Sequence, residues 1–339
     1  MRRKVLMLTG SSWPEDACGV GLYTVELVAA LQAAGFPAER LCYKEWDLGG
    51  TAKLLKRLSR EKDTLLHIQY PTFGYGHSLG PQLCSLIRPS VVTLHEFSLA
   101  HILRKLSLFP FTLRSPRLVM IAEYERQRLI RRMPWAAPKI KIVHIGSNIV
   151  PTQPASTAYL PRIYYHGLVM PRKGLEEWFA LAQLAHERQT GWEFILVGKI
   201  PSAHASYAEE LVQASSGWPV QWVLDRTDEE LAVLFAQGGI AYLPFVDGAS
   251  DRRGSLKTVL AAGLPTITTE SEQTPQNLRN TVLFASDPRA AFDCARHLME
   301  SIQERERLAI AALEYARTFS WQSIAEAHIR LYEELPAHV

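Results

Sequence analysis

The sequence is poor in cysteine, with Cys18, Cys42, Cys84 and Cys294 as the only four among 339 residues. These residues form no CxxC pair, and no histidine stands near them at metal-binding spacing. A zinc site and thiol redox chemistry are therefore disfavoured, and we expect each cysteine to be a buried thiol.

Long apolar runs are also missing. No stretch approaches the roughly 20 residues that a membrane-spanning helix needs. The N-terminus, "MRRKVLMLTGSSW", combines a basic start with an apolar run of about five residues, which is too short for the core of a signal peptide. We therefore expect a soluble cytoplasmic protein.

A dinucleotide-binding fingerprint is absent as well. In "CGVG" and the residues after it, Gly19 and Gly21 are followed by Thr24 where the third glycine would stand. No acidic residue ends the next strand at the usual distance. The two glycines at the start of a helix either let backbone approach an anionic ligand or serve the turn alone.

The bulk composition is that of an ordinary globular protein, with 47% hydrophobic and 21% charged residues. At 339 residues the chain exceeds the size at which one hydrophobic core usually stops growing. We therefore expect two domains.

Charge is distributed unevenly along the chain. Residues 1–150 carry 21 Lys and Arg against 11 Asp and Glu, whereas the remainder carries 16 against 23. The basic half favours an anionic partner, either a membrane surface or a substrate. It contains no recognised nucleic-acid module, so a nucleic acid is not expected.

Three basic segments of this half, at 52–62, 101–117 and 124–135, interleave cations with Leu, Phe and Trp. They are consistent with peripheral association with an anionic leaflet, such as the inner face of the plasma membrane. They are equally consistent with amphipathic helices packed on a sheet.

Short apolar strands alternate with amphipathic helices twice along the chain, before and after a Pro-, Ser- and Thr-rich segment at 149–161. This alternation predicts an α/β protein with two parallel sheets facing each other across a cleft, formed by residues 1–150 and 151–320. Ligands of such sheets bind at the carboxyl ends of the strands.

Two loops that follow strands of the second half carry pairs of cations. In "HGLVMPRKGLEEW", Arg172 and Lys173 precede a helix; in "LPFVDGASDRRGSLKTVLAAG", Arg252 and Arg253 do the same. A helix start already offers unpaired N–H groups and partial positive charge, so further cations there predict a bound anion. Asp247 and Asp251 stand beside the second pair as acceptors for hydroxyls. Cations for phosphates beside carboxylates for sugar hydroxyls predict a nucleotide-sugar site.

Taken in order, these segments resemble those of a GT-B glycosyltransferase of the retaining glycosyltransferase family 4. The resemblance spans nearly the whole chain: the glycine loop, "HEF", "AEYERQRLI", "HIGSNI", "PRKG", "EELAVLFAQGGIAYLP", "LAAGLPTITT" and "FSWQSIAEAHIRLYEEL". It implies two Rossmann-like domains, an N-terminal one for the acceptor and a C-terminal one for the nucleotide-diphosphate sugar. The last helix, about 321–339, would cross back to the first domain.

The resemblance also implies a reaction. A hexose would pass with retention from a UDP- or GDP-sugar to a hydroxyl of a saccharide or lipid-linked acceptor, in polysaccharide or glycolipid assembly. Neither a metal nor a cofactor is expected, because protein cations stabilise the diphosphate leaving group.

The chain departs from the family pattern at three positions. Leu168 replaces the arginine that usually follows the glycine matching Gly167, and Ser250 and Thr258 replace two glutamates. Our hypothesis is that Arg252 or Arg253 holds the diphosphate together with Lys173, and that Asp247 or Asp251 supplies a hydroxyl contact. The alternatives are solvated arginines in a degraded site, hence a non-catalytic nucleotide-sugar-binding partner or regulatory protein, and an epimerase of the same architecture, whose carboxylates we cannot place.

The predicted catalytic residues are Lys173, Arg252, Arg253, Asp247 and His95, the last as a polar contact to the transferred sugar. Eleven further residues are predicted to bind the donor or its nucleotide: Gly19, Gly21, Gly167, Arg172, Leu224, Arg226, Asp251, Gly254, Ser255, Leu256 and Thr258.

Overall fold

A computed structural model describes residues 3–11, 18–61, 63–98, 100–147 and 154–336 of the chain. The chain divides into two compact units: Met1–Gly146 with Ser320–Val339, and Ser147–Phe319. The predicted domain boundary at 150/151 and the first part of the predicted linker lie outside the described residues.

The first unit is built on a parallel sheet of six strands in the order β2-β1-β3-β4-β5-β6. Its elements are β1 (Lys4–Thr9), α1 (Gly19–Ala33), β2 (Ala38–Cys42), α2 (Leu48–Leu58), β3 (Thr64–Tyr70), α3 (Gly80–Ile87), β4 (Ser90–Leu94), α4 (Ile102–Leu106), α5 (Phe109–Arg114), β5 (Leu118–Met120), α6 (Glu123–Ile130) and β6 (Ile140–Ile142). Short 3₁₀ turns occupy Phe73–Tyr75 and Pro134–Lys139.

Both faces of this sheet are covered, which explains the continuous apolar runs in the sequence. Every residue of β3 is buried. Leu66 packs into the core on one face, whereas its neighbour Leu65 packs into the core on the other, because successive side chains of a strand point to opposite faces.

The second unit has its own parallel sheet of six strands, in the order β12-β11-β10-β7-β8-β9. Its elements are β7 (Arg162–Leu168), α7 (Leu175–Glu187), β8 (Glu193–Lys199), α8 (Ala205–Ala214), β9 (Val220–Leu224), α9 (Asp228–Ala236), β10 (Ile240–Leu243), α10 (Gly254–Ala261), β11 (Thr266–Thr268), β12 (Leu283–Phe284), α11 (Pro288–Glu300) and α12 (Ile302–Arg317). From β7 the chain proceeds to β8 and β9 on one side, and β10 lies on the other. Strand order therefore reverses between β7 and β10, where parallel sheets usually bind ligands.

The last helix, α13 (Trp321–Glu333), packs on α1 within the first unit. The Trp321 ring lies so close to Gly146 that a Cβ at Gly146 would be 2.5 Å from it. The Tyr332 hydroxyl lies 2.6 Å from Nδ1 of His67 on β3. These contacts fix the helix against the face of the sheet that also carries α1.

Candidate functional site

A cavity of about 560 Å³ lies in the second unit at the carboxyl ends of β7, β8 and β9 and at the start of α10. Strand ends and the loops after them supply nearly all of its lining. The lining residues are Tyr165, His166, Gly167, Leu168, Lys173, Val197, Gly198, Lys199, Val223, Asp225, Arg226, Leu231, Phe245, Arg252, Arg253, Gly254 and Ser255.

Two glycines allow the backbone to close around this cavity. A Cβ at Gly198 would overlap the carbonyl oxygen of Gly167 on the adjacent strand. Gly174, which precedes α7, has φ +80° and would place a Cβ on the carbonyl of Pro244. A larger residue at either position would push strand or loop backbone away from the site.

Positive charge dominates the lining. Among the described residues of the lining, five are cationic (Lys173, Lys199, Arg226, Arg252 and Arg253) and one, Asp225, carries a carboxylate. These side chains come from the end of β8 and from the loops after β7, β9 and β10, so tertiary structure rather than a local basic run brings them together. Such a concentration favours a ligand with more than one negative charge.

The start of α10 adds backbone donors. Arg253 is the residue before the helix, has extended backbone (φ −83°, ψ 97°), and no side chain caps the first turn. Gly254 and Ser255, the first two helical residues, line the cavity. The N-terminal N–H groups and the helix dipole therefore act on the same space as the cations.

Arg253 is held in place by its neighbours. Its guanidinium stacks over the Phe245 ring at 4.7 Å from the centroid and forms an ion pair with Asp247. Its side chain is 19% exposed, and burial lowers the pKa of Arg253 from its usual value. The planar group is thus fixed before any anion binds.

The positive charge of Arg253 also acts on Lys173. Burial, and secondarily the charge of Arg253, lowers the pKa of Lys173 from its usual value. The hydroxyl of Tyr165 donates to the carbonyl of Lys173 at 3.1 Å, and the preceding residue, Arg172, has a left-handed backbone with φ 64°. An anion between Lys173 and Arg253 would relieve their mutual repulsion.

Arg252 is anchored differently, because its Nη2 donates to Oε1 of Gln273 at 2.8 Å. The next residue toward the N-terminus, Asp251, is buried and accepts a hydrogen bond of 2.8 Å from the Tyr315 hydroxyl. Lys257 is also buried, with Nζ 5.2 Å from the centroid of the Phe319 ring. Burial lowers the pKa of Lys257 to about 7, against the opposing effect of Asp251. This cluster of Asp251, Lys257 and Tyr315 joins the loop that carries Arg252 and Arg253, here called the arginine loop, to α10 and α12.

Eight of the residues discussed as site positions in the sequence analysis line this cavity. They are Gly167, Leu168, Lys173, Arg226, Arg252, Arg253, Gly254 and Ser255. Among the described residues, its lining does not include Arg172, Leu224, Asp247, Asp251, Leu256, Thr258 or Ser250. Asp251 is directed toward Tyr315 instead, while Asp247 contacts Arg253 rather than the open space.

Gly19, Gly21 and His95 belong to the first unit. His95 follows β4, is 8% exposed, and its Nε2 lies 2.8 Å from Oε1 of Gln69. Its ring contacts Tyr23 edge-on at 4.9 Å. Burial lowers the pKa of His95 to about 3, so the ring is neutral at pH 7.

Sequence reasoning missed several lining residues. Lys199 and Asp225 stand at or just after the ends of β8 and β9, a position that could have marked them. Asp225 also has a left-handed backbone, φ 53°, which the residues around it in the sequence do not predict. Tyr165 and His166 lie inside β7, whose apolar sequence predicts a buried strand rather than a binding surface. Burial lowers the pKa of His166 to about 4.

In the first unit, a structural role of Glu125 in holding the loop after His95 could not be predicted from the sequence. This fully buried residue of α6 accepts hydrogen bonds from the backbone N–H groups of Phe97 and Ser98 at 2.9 and 2.8 Å. It thereby fixes the loop that follows His95.

Comparison with known proteins gives the fold of the whole chain. The chain superposes on HepE of Anabaena, solved with UDP and glucose, with a TM-score of 0.70 and 16% identity over 98% of this chain and 100% of that one. A glycosyltransferase from Rickettsia africae gives a TM-score of 0.77 and 12% identity over 98% of both chains.

The chain has the GT-B fold. The prediction of an α/β protein with two Rossmann-like units is confirmed. A D-inositol 3-phosphate glycosyltransferase of Nocardioides sp. is 25% identical over 251 residues, which are 66% of this chain and 54% of that protein. The chain thus matches about half the length of this curated relative. No family model matches the chain.

All four cysteines are free thiols, of which Cys18 and Cys84 are buried and Cys42 and Cys294 half-buried. Among the described residues, no helix is both long and apolar enough to cross a membrane. No group of three or more His, Cys, Asp or Glu side chains in the same described ranges is arranged to hold a metal ion.

Proposed function

We propose that this GT-B protein is a glycosyltransferase that binds a nucleoside diphosphate sugar in the cavity of its second unit and transfers the sugar to an acceptor hydroxyl. The observation that carries this proposal is the convergence of five cations and an uncapped helix start on one cavity of about 560 Å³. A diphosphate matches this arrangement better than a monoanion, since charge is presented from several sides.

The diphosphate would lie against Lys173, Arg252, Arg253 and the N–H groups of Gly254 and Ser255. As the bond between the sugar and the phosphate breaks, negative charge builds up on the leaving oxygen, and positioned cations stabilise it more than they stabilise the bound donor. Lys173 or an arginine needs no proton transfer to do this.

The arginine loop would compensate for Leu168. This side chain is 44% exposed and lines the same cavity as Arg252 and Arg253. The guanidinium that the family pattern places at position 168 and the guanidinium of Arg252 or Arg253 before α10 would therefore act on the same ligand. We assign the nucleotide base to the side of β9, near Leu224 to Arg226, and propose a UDP- or GDP-linked donor.

The first unit would hold the acceptor, with the backbone at Gly19–Gly21 and the side chain of His95 as its contacts. Retention of configuration, membership of family 4, transfer of a hexose without metal or cofactor, and a role in polysaccharide or glycolipid assembly are parts of the same proposal. A saccharide or lipid-linked acceptor handled at the inner face of the plasma membrane suits the basic first half.

A second function, binding of a nucleotide sugar without turnover, is favoured by one observation. Ser250 and Thr258 stand where the resemblance places two glutamates, and both are buried and outside the cavity lining. Asp247 and Asp251 are engaged with Arg253 and Tyr315. Among the described residues that line the cavity, only Asp225 has a carboxylate that could replace the two lost ones.

The test is thermal-shift screening against UDP, GDP, ADP and their sugar conjugates, followed by donor hydrolysis. A ligand that binds only the folded protein must raise the unfolding midpoint. A shift with one nucleotide series together with slow release of free sugar supports the transferase. A shift without any hydrolysis or transfer to added acceptors supports the non-catalytic binder, and no shift with any nucleotide refutes both.

A further inference from the structure

Exposed apolar side chains are concentrated on one surface of the first unit. Of the nineteen large apolar side chains that are exposed in the described ranges, eleven lie between Phe73 and Trp135. They are carried by the turn at 73–75, by α3, α4 and α5 with the residues next to them, and by the turn at 134–139. We refer to this surface as the helical patch.

The elements that form the helical patch contact one another. Helix α3 packs against α5, and α5 packs against the 134–139 turn, where the Phe109 and Trp135 rings meet edge-on at 5.6 Å. Gln82 on α3 donates to Ser107 after α4 at 3.2 Å, and Arg104 on α4 donates to the carbonyl of Gly76 at 3.3 Å. The elements that carry the exposed apolar side chains are therefore neighbours in space.

Helix α4 illustrates how unusual this surface is for a water-facing one. Its sequence is ILRKL, and none of its residues is buried. Leu103 and Leu106 are 68% and 62% exposed. A short helix that exposes its aliphatic side chains to water gains little from folding unless another apolar phase covers them.

Charge on the helical patch has one sign. Residues 97–116 contain Arg104, Lys105 and Arg114 but no Asp or Glu. A second copy of the chain docked face to face would bring these cations against their own equivalents. An acidic, partly apolar surface is the complementary partner.

We propose that the helical patch docks on an anionic lipid bilayer, with the aliphatic and aromatic side chains in the interfacial region and the cations at the lipid headgroups. Leu, Phe and Trp beside Lys and Arg are the composition of helices that lie in the plane of a membrane interface. Binding strength then depends on both apolar contact and anionic lipid. This docking requires no sugar donor, so it stands or falls independently of the proposed transfer.

The experiment is cosedimentation with vesicles of phosphatidylcholine alone or with 30% phosphatidylglycerol, at low and high salt. We expect binding to the anionic vesicles only, with about a fivefold loss for each cation neutralised and weakening as salt screens the headgroups. Leu103→Asp with Leu106→Asp should reduce the partition at least about tenfold, because it removes apolar contact and adds repulsion.

The matched control is Val212→Asp with Val233→Asp, two exposed apolar positions of the second unit, 48% and 66% exposed. It should bind vesicles within about twofold of the wild type. Trp135 gives a second readout: its fluorescence should be quenched by lipids labelled in the upper acyl chain, and Trp135→Phe should remove that part of the signal.

Three outcomes would overturn the inference. They are no binding to anionic vesicles at low salt, an equal loss in the Val212 and Val233 control, and concentration-dependent dimerisation abolished by the Leu103 and Leu106 changes. The last would assign the helical patch to a second copy of the chain.

Discussion

Arg253→Ala is the perturbation that most directly tests the cavity as an anion site. The guanidinium is mostly buried, stacked on Phe245 and paired with Asp247. It lies close enough to Lys173 to contribute to lowering the pKa of that lysine. Removing it takes one of five cations from the lining and leaves the start of α10 intact.

The expected magnitude follows from the bonds that Arg253 would make. A hydrogen bond to a charged group contributes about 1.5–3 kcal/mol, so the dissociation constant of UDP should rise about 10- to 150-fold. The Asp247 pairing reduces this little, since that carboxylate is 52% exposed and solvent screens it. Asp247→Asn should therefore leave UDP affinity nearly unchanged or slightly improve it.

The assay is titration calorimetry with UDP at pH 7 and two salt concentrations, alongside turnover of the donor sugar. Arg296→Ala is the control for net charge, because Arg296 lies on α11, is 56% exposed and pairs with Asp293 away from the cavity. Arg252→Ala with Arg253→Ala should lower turnover about 100-fold or more. UDP affinity of Arg253→Ala within twofold of the wild type would refute the reasoning, as would an equal loss in Arg296→Ala.

Three further outcomes are expected. Bound diphosphate should raise the lowered pKa of Lys173, so at alkaline pH, between the free and the bound pKa, binding takes up a proton and affinity falls as pH rises. Calorimetry in alkaline buffers of different ionisation enthalpy measures the uptake, and Lys173→Arg should abolish it. Lys257 has a folded pKa of about 7, below its unfolded value, so its protonation favours the unfolded chain between these values and stability rises with pH there. The wild-type midpoint should gain about 2 °C per pH unit on that of Lys257→Met between pH 7.5 and 9, and parallel curves by calorimetry would contradict this. Gly174→Ala should lower the midpoint and weaken UDP binding together, because its Cβ would overlap the Pro244 carbonyl, whereas Gly191→Ala, also at positive φ but with open space around it, should lower the midpoint without affecting binding.

Much of the fold could be predicted because it rests on local patterns. Continuous apolar runs such as "TLLHIQY" predict strands buried on both faces, and β3 is one. Because parallel strands end at one edge of a sheet, the sequence predicts that Lys173 and Arg253 lie close together, and both line the cavity although they are 80 residues apart in sequence.

Other features depended on contacts between distant residues. Asp251 looked like a hydroxyl acceptor beside two arginines, yet its partner is Tyr315, 64 residues away. His95 looked like an open strand-end histidine, but Gln69 and Tyr23 enclose it. A polar side chain near a loop takes whichever partner the packed chain brings within reach, and sequence position does not determine that choice.

The sequence by itself determined the alternation of strands and helices, the two units with parallel sheets and the cationic loops after β7 and β10, because periodicity, glycine and charge act over a few residues; the GT-B fold was implied by the family resemblance. Tertiary structure alone decided which cations share a cavity, that Lys199 and Asp225 join them, and that α3 and α5, with their exposed apolar side chains, pack side by side. The physical reason is that burial and electrostatic coupling depend on distances in space, and those distances exist only once the sheets have formed and the helices have packed on them.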